Sequence, residues 1–158
     1  METPLLRSEH LRALAVDYAR QFIGTPYRWG GDDPVFGFDC SGLIHEVLQA
    51  VGLERHGHDS TADELWERFQ GFPSLQGYPG RLVFWFTPAG RAVHVELCLD
   101  EDYTIGASGG GSATGGTLDT REEALADAAA QNAYVKIRPI NYRGDGFKIV
   151  DPFKAVFE

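Results

Sequence analysis

The chain has 158 residues, of which 43% are hydrophobic and 23% are charged, a usage typical of globular proteins that argues against disorder. Its length predicts one domain, 1–158, with a core of its own. The formal net charge of −9 argues against nucleic acid and anionic membrane surfaces as partners. Charged residues interrupt the first 24 positions, so we expect no cleaved signal peptide. No apolar run is long enough to span a bilayer, so we expect no membrane span. The localisation stays unknown.

The first half of the chain has helical periodicity. Ser8 is predicted to cap a first helix, and a second helix is predicted over residues 40–51. Thr61 and Glu64 form a predicted capping box for a third, short helix. The apolar stripe of the first helix is predicted to consist of Leu11, Leu14, Tyr18 and Phe22.

The second half changes to the periodicity of strands. Apolar or alternating segments predict strands over 81–86, 93–99, 103–107 and 134–140. A helix capped by Thr120 should precede the last of them, and the glycine-rich stretch 106–116 is predicted to contain a loop. Helices first and strands later predict an α+β domain, in which the helix over 40–51 packs across a small antiparallel sheet.

Cys40, in the segment GFDCSGL, is the residue around which a function can be predicted. A thiol at a helix N-terminus lies among free backbone N–H groups that favour an anion. Such a site can lower a thiol pKa from about 8.5 into the range of roughly 3.5–7.5. We therefore predict that Cys40 is a nucleophile, and we do not expect a disulfide with Cys98, because that bond would consume the reactive thiol.

A cysteine nucleophile needs a general base, and His94 is the candidate. It lies in the predicted strand HVELCLD, on the face opposite to Val95 and Leu97 and on the same face as Glu96. Taken alone, a histidine on a strand is more often exposed or held by a structural hydrogen bond than catalytic. The case for His94 therefore depends on the segments that accompany it.

Three segments together resemble the NlpC/P60 family of cysteine peptidases. They are PYRWGG at 26–31, DCSG at 39–42, and HV at 94–95 after the strand sequence LVFWF. The resemblance runs from about Ile23 to Ser108. It implies a papain-like fold, no metal or cofactor, and hydrolysis of amide bonds in peptidoglycan stem peptides at a D-γ-glutamyl linkage.

The resemblance also implies roles for particular residues. Cys40 would attack the carbonyl carbon, and His94 would activate the thiol and then protonate the leaving amine. Asp39 would in addition cap the helix that begins at Cys40. The residues that the resemblance implies in substrate binding are Tyr27, Trp29, Asp39 and Ser41.

Two positions depart from the family pattern. The family places a third polar residue on the strand after the base, and the corresponding residue here is Gly106. Thr104 and Ser108 alternate onto the same face as Gly106, so either hydroxyl could orient His94 directly or through water. Glu96 stands where relatives have a small residue, and it should either face solvent or favour a cationic group in the site.

The sequence leaves two other functions open. Because of Gly106, the domain could be a non-catalytic wall-binding or phage tail structural module. The Cys–His pair could also serve an acyltransferase or an amidase on another substrate, since both proceed through an acyl-enzyme. The segment NAYVKIRPINYR, residues 132–143, resembles phage-associated members of the family, which would imply a phage tail or another delivery partner.

Overall fold

The computed structural model describes residues 3–34, 37–57, 60–109 and 120–157. The helices are α1 (Pro4–Arg20), α2 (Cys40–Ala50), α3 (Ala62–Phe69), α4 (Arg121–Gln131) and α5 (Pro152–Phe157). The strands are β1 (Asp32–Asp33), β2 (Gly37–Phe38), β3 (Leu82–Phe86), β4 (Ala92–Cys98), β5 (Tyr103–Ser108), β6 (Tyr134–Pro139) and β7 (Lys148–Val150). No helix in these ranges is long and apolar enough to cross a membrane. Residues 110–116 of the predicted glycine-rich loop lie outside them.

A five-stranded antiparallel sheet forms the centre of the fold. Its strand order is β6-β5-β4-β3-β7, and α2 packs against β4 and β5 from one side. Apolar side chains of α2 meet those of the sheet there and lose contact with water, which is the main favourable contribution to folding. The largest fully buried side chains in this core include Leu43, Ile44, Leu48, Phe84, Leu97 and Ile105. The predicted fold class, an α+β domain with the cysteine helix on a small antiparallel sheet, is confirmed.

The ends of the helices follow local sequence signals, with one error. Asp39 Oδ1 accepts a hydrogen bond from the Gly42 N–H at 2.7 Å and so caps α2, as predicted. The capping box of Thr61 and Glu64 is present at the start of α3. The prediction for α1 was wrong, because Thr3 is the N-cap and the helix begins at Pro4. Proline suits the first turn of a helix, where its missing N–H would have no intrahelical partner.

The buried face of α1 also differs from the predicted apolar stripe. Leu14 is 56% exposed, whereas Arg12 is only 3% exposed. The guanidinium of Arg12 lies on the inner face because Asp151 accepts from its Nη2 at 2.8 Å. A charge can be buried when such a partner compensates for its lost hydration. The pattern of apolar residues along α1 could not reveal a partner more than a hundred residues away.

The segment after β6 covers the second face of the sheet. Strand β7 pairs with β3 at the edge of the sheet, and α5 packs against α1. A second small apolar cluster forms on the face that α2 does not touch, around Val83, Trp85 and Cys98. The side chains that this segment packs against the cluster are Ile140, Tyr142, Phe147 and Ile149. This placement brings residues 140–150 to the side of β4 that carries His94.

Candidate active site

A cleft of about 650 Å³ lies between the N-terminus of α2 and the sheet. Cys40 is partly exposed in it, and His94 lines the same cleft from β4. All four residues implied in substrate binding also line it, and so does Ser108: the four are Tyr27, Trp29, Asp39 and Ser41. Thr104 does not line it, and its side chain is fully buried.

The environment of the Cys40 thiol differs from the one expected at a helix N-terminus. Burial of the thiol and the adjacent carboxylate of Asp39 raise the pKa of Cys40 to about 11, and Glu96 adds to this effect. The backbone N–H groups of Val95 and Ser41 act in the opposite direction by favouring the thiolate. The loss of hydration and the two carboxylates thus raise the pKa of Cys40 more than the N–H groups at the helix N-terminus lower it, and the thiol is protonated at neutral pH.

The imidazole of His94 is held from one side by a buried carboxylate. His94 Nε2 lies 2.7 Å from Oε2 of Glu96, and Glu96 is completely buried. The Tyr142 hydroxyl also donates to Oε2 of Glu96 and lies 3.1 Å from His94 Nε2. Because an ionised carboxylate only accepts hydrogen bonds, this contact assigns the proton to Nε2. Nδ1 then carries the lone pair of the neutral imidazole, and both His94 and Cys40 line the cleft.

The charge states of the pair follow from burial and from these hydrogen bonds. Burial lowers the pKa of His94, an effect that the Glu96 carboxylate opposes and that Arg143 and Arg138 reinforce. Burial alone would raise the pKa of Glu96, but its hydrogen bonds with His94 and with two hydroxyl groups hold that pKa below its usual value. At neutral pH the site therefore combines a neutral imidazole with an ionised carboxylate.

Neither hydroxyl considered as an orienting group makes a hydrogen bond to His94 within the described part of the chain. Thr104 Oγ1 donates to Oε1 of Glu96 at 2.7 Å, and Ser108 Oγ lies 3.3 Å from the Tyr142 hydroxyl. Glu96 contacts the base in their place, and because it is fully buried, the predicted alternative in which it faces solvent was wrong. The available signal was a carboxylate two residues from His94 on the same strand face, opposite a glycine of the next strand.

The predicted substrate-binding residues differ in exposure and in their existing contacts. Tyr27 is 6% exposed, and its burial together with the nearby Cys40 and Asp39 raises its pKa. Trp29 is 60% exposed at the rim of the cleft. Ser41 Oγ lies 3.3 Å from Oδ1 of Asp39, whose Oδ2 accepts from the Gly30 N–H. Asp39 therefore organises the loop and α2, and it also presents a carboxylate to the cleft.

The cleft is lined by side chains of both charges. Asp39 and Asp63 contribute carboxylates, and Arg91 and Arg143 contribute cations; Asp63 also accepts a hydrogen bond from the Ala92 N–H, beside Arg91. The guanidinium of Arg143 lies 6.0 Å from the centre of the Trp85 ring and forms no ion pair with any residue that the structure describes. Its charge influences the pKa values of two groups that line the cleft, and sequence reasoning missed this residue altogether.

Comparison with known proteins adds to this geometry. "Murein DD-endopeptidase MepH" of Escherichia coli (strain K12) is 38% identical over 85 residues, which are 52% of this chain and 31% of that protein. "Gamma-DL-glutamyl hydrolase" of Bacillus subtilis (strain 168) is 51% identical over 71 residues, which are 44% of this chain and 16% of that protein. This chain thus spans less than a third of the length of these relatives.

The fold has solved counterparts as well. The crystal structure of the NlpC/p60 domain of the peptidoglycan hydrolase SagA superposes with a TM-score of 0.57 at 26% identity, covering 89% of this chain and 97% of that one. The profile of the NlpC/P60 family matches residues 24–138, which include Cys40, His94 and Glu96. On this match over more than half of its length, the chain belongs to the NlpC/P60 family.

Proposed function

We propose that this domain is a cysteine peptidase that hydrolyses amide bonds in peptidoglycan stem peptides. The observation that carries the proposal is the composition of one cleft: Cys40 at the start of α2 and His94 on β4, whose Nε2 is bonded to the buried Glu96. A nucleophile, a base and a group that fixes the base are the parts that acyl transfer through cysteine requires. Family membership and the names of the relatives support the substrate class.

The reaction begins from a neutral thiol and a neutral imidazole. Nδ1 of His94 takes the thiol proton as Sγ of Cys40 attacks the carbonyl carbon, and the negative charge of Glu96 stabilises the imidazolium that forms. The N–H of Cys40, the first of α2, is a donor for the developing oxyanion. When the C–N bond breaks, His94 returns the proton to the leaving amine. Water deprotonated by His94 then hydrolyses the thioester and regenerates the thiol.

We further propose that the scissile bond lies at a D-γ-glutamyl residue. A γ-linked glutamyl residue keeps its α-carboxylate. Arg143, which forms no ion pair with the described residues, offers a guanidinium in the cleft that suits a carboxylate. Asp39 and Asp63, which line the same cleft, suit an amino group. The relative named as a gamma-DL-glutamyl hydrolase supports this bond, whereas the relative named as a murein DD-endopeptidase supports a D,D cross-link.

The test is digestion of purified peptidoglycan and of two synthetic substrates, an L-Ala-γ-D-Glu-diamino-acid peptide and a D,D-cross-linked dimer of stem peptides. Products are identified by mass spectrometry for the unaltered protein, Cys40→Ala and Cys98→Ala. Cys98 is fully buried outside the cleft, so its variant is the matched control for loss of a thiol. We expect a new amine and a new acid at the D-glutamyl bond, with Cys98→Ala active and Cys40→Ala inactive.

Other outcomes separate the parts of the proposal. Cleavage of the D,D-linked dimer alone would reject the glutamyl bond and keep the peptidase. Undiminished cleavage by folded Cys40→Ala would reject the mechanism. No cleavage of any substrate would favour the non-catalytic module. That alternative was suggested by Gly106, which cannot orient the base, but Glu96 contacts His94 in its place. A phage tail or another delivery partner stays a prediction of the sequence.

A further inference from the structure

The His94 imidazole is bonded to a polar cluster that two distant segments build. Glu96 is 0% exposed, and hydrogen bonds occupy both of its carboxylate oxygens. Thr104 of β5 donates to Oε1, while His94 and Tyr142 share Oε2. A carboxylate buried with no partner would neutralise itself by taking up a proton, so this set of donors is what keeps Glu96 ionised.

Gly106 makes room for this carboxylate. The register of β4 and β5 places residue 106 directly opposite residue 96, since Leu97 pairs with Ile105. A Cβ atom added to Gly106 would lie 2.3 Å from Cγ and 2.4 Å from Cδ of Glu96. Non-bonded carbon atoms do not approach each other so closely, so a side chain at 106 and the observed position of the Glu96 side chain exclude each other. The space beside His94 can be filled from β4 or from β5, and here it is filled from β4.

Tyr142 closes the cluster from outside the region that defines the family. It lies four residues beyond the end of the family match, in the connection between β6 and β7. Its ring packs edge to face on Trp85 at 5.8 Å, and the guanidinium of Arg138 lies 5.0 Å from its centre. Burial and the carboxylate of Glu96 raise the pKa of Tyr142 to about 12, so its hydroxyl stays protonated and able to donate.

We propose that Tyr142 is a positioning residue that, together with Glu96, fixes the tautomer and the orientation of His94. This inference rests on the proposed function and adds a residue to its site. Glu96 accepts the Nε2 proton and directs the Nδ1 lone pair to the cleft. The Tyr142 hydroxyl keeps the carboxylate from rotating and withdraws part of its charge. We call the pair Glu96 and Tyr142 the base clamp.

The two members of the base clamp have opposite effects on the basicity of His94. Glu96→Gln removes the charge that favours the imidazolium, so the pKa of His94 falls further. Tyr142→Phe removes a donor from Glu96, which leaves more negative charge beside the imidazole, so the pKa of His94 rises. The other charged groups that act on His94 stay the same in both variants: they are Arg138 and Arg143.

The first test measures the His94 titration by NMR, on Cys40→Ala protein so that the result does not depend on activity. Glu96→Gln should move the pKa down and Tyr142→Phe should move it up, whereas Tyr103→Phe should leave it unchanged. Tyr103 is a half-exposed tyrosine of β5 that does not line the cleft. Equal or same-direction shifts in the two clamp variants would overturn the proposal, and this result holds even if the proposed peptidase activity is not found.

The second test is kinetic and uses the stem peptide that the unaltered protein cleaves. Tyr142→Phe should lower kcat about 10- to 100-fold, the loss expected for one hydrogen bond to a charged group, with KM within about twofold. Glu96→Gln should lower kcat by about 10³- to 10⁴-fold, because its amide favours the wrong tautomer. The exchange variant Glu96→Gly with Gly106→Glu should have a kcat at least tenfold higher than that of Glu96→Gly alone. An unchanged kcat in Tyr142→Phe, or an exchange variant no better than Glu96→Gly, would contradict the base clamp.

Discussion

The molecule buries two polar clusters, each centred on one carboxylate, and they differ in their position relative to the cleft. In the structural cluster, Asp151 accepts from Arg12 at 2.8 Å, lies 3.4 Å from Nε of Arg81, and accepts from two backbone N–H groups of α5. In the cluster at the cleft, Glu96 accepts from Nε2 of His94, which leaves Nδ1 as the proton-accepting atom of that imidazole. The structural cluster lies outside the cleft and stabilises the fold, whereas the cluster at the cleft contains an imidazole that can exchange a proton.

The same C-terminal segment completes both clusters. It supplies Asp151 to the structural cluster and Tyr142 to the cluster at the cleft. Because the two sites share no residue, variants can separate a contribution to folding from a contribution to the reaction. The following predictions use that separation, from the largest expected effect to the smallest.

Asp151→Ala should lower the free energy of unfolding by about 3–5 kcal/mol, since it leaves the guanidinium of Arg12 buried without its carboxylate. The rate of peptide cleavage per folded molecule should stay the same. Urea unfolding followed by circular dichroism measures the first quantity, and stem-peptide turnover measures the second. Asp145→Ala, at an exposed position of the same segment, is the control and should change neither. A loss in Asp151→Ala of less than 1 kcal/mol would remove the contrast between the two clusters.

Gly106→Ala should damage both stability and activity, because the new methyl group overlaps Glu96. Overpacking of this kind costs about 1–3 kcal/mol, and displacement of the carboxylate should also lower kcat. The control is Gly71→Ala, since a Cβ at Gly71 meets no atom within 4 Å and needs no unusual backbone conformation. If Gly106→Ala has the same free energy of unfolding and the same kcat as the unaltered protein, the close packing of residues 96 and 106 is wrong.

Asp39→Asn should lower the pKa of Cys40 from about 11, because Asp39 is the second-largest cause of its elevation, after burial. Asparagine caps helices as well as aspartate does, so the free energy of unfolding should change little. The pH dependence of alkylation by iodoacetamide, in a Cys98→Ala background, reports the pKa of Cys40. Asp32→Asn, at an exposed position of β1, is the control. An unchanged alkylation profile in Asp39→Asn would show that Asp39 does not control the thiol.

Glu9→Ala should have the smallest effect. Glu9 accepts from the same Arg12 at 2.6 Å, but its side chain is 56% exposed. Exposed ion pairs contribute about 0.2–1 kcal/mol, so the free energy of unfolding should fall by no more than that. The comparison with Asp151→Ala is internal, since both variants remove a carboxylate from one guanidinium. If Glu9→Ala and Asp151→Ala lost the same free energy of unfolding in urea, the larger stabilising role assigned to the buried Asp151 would be contradicted.

Much of the fold and part of the candidate site could be predicted because their signals are local. The start of α2 at Cys40, its Asp39 cap and the Thr61–Glu64 capping box involve residues only a few positions apart. Strand periodicity predicted β3 to β6 with small errors at their ends. The segments PYRWGG, DCSG and HV predicted the family and six of the residues that line the cleft, which are Tyr27, Trp29, Asp39, Cys40, Ser41 and His94.

Only the tertiary structure decided which groups surround these residues. Tyr142 reaches Glu96 across 46 positions and Arg12 reaches Asp151 across 139, and no pattern along a single helix or strand encodes such contacts. The protonated state of Cys40 was likewise decided by its burial, which outweighs the helix terminus visible in the sequence. Local hydrogen bonds and periodicity are properties of neighbouring residues, whereas desolvation and the pairing of buried charges depend on everything that packs around them.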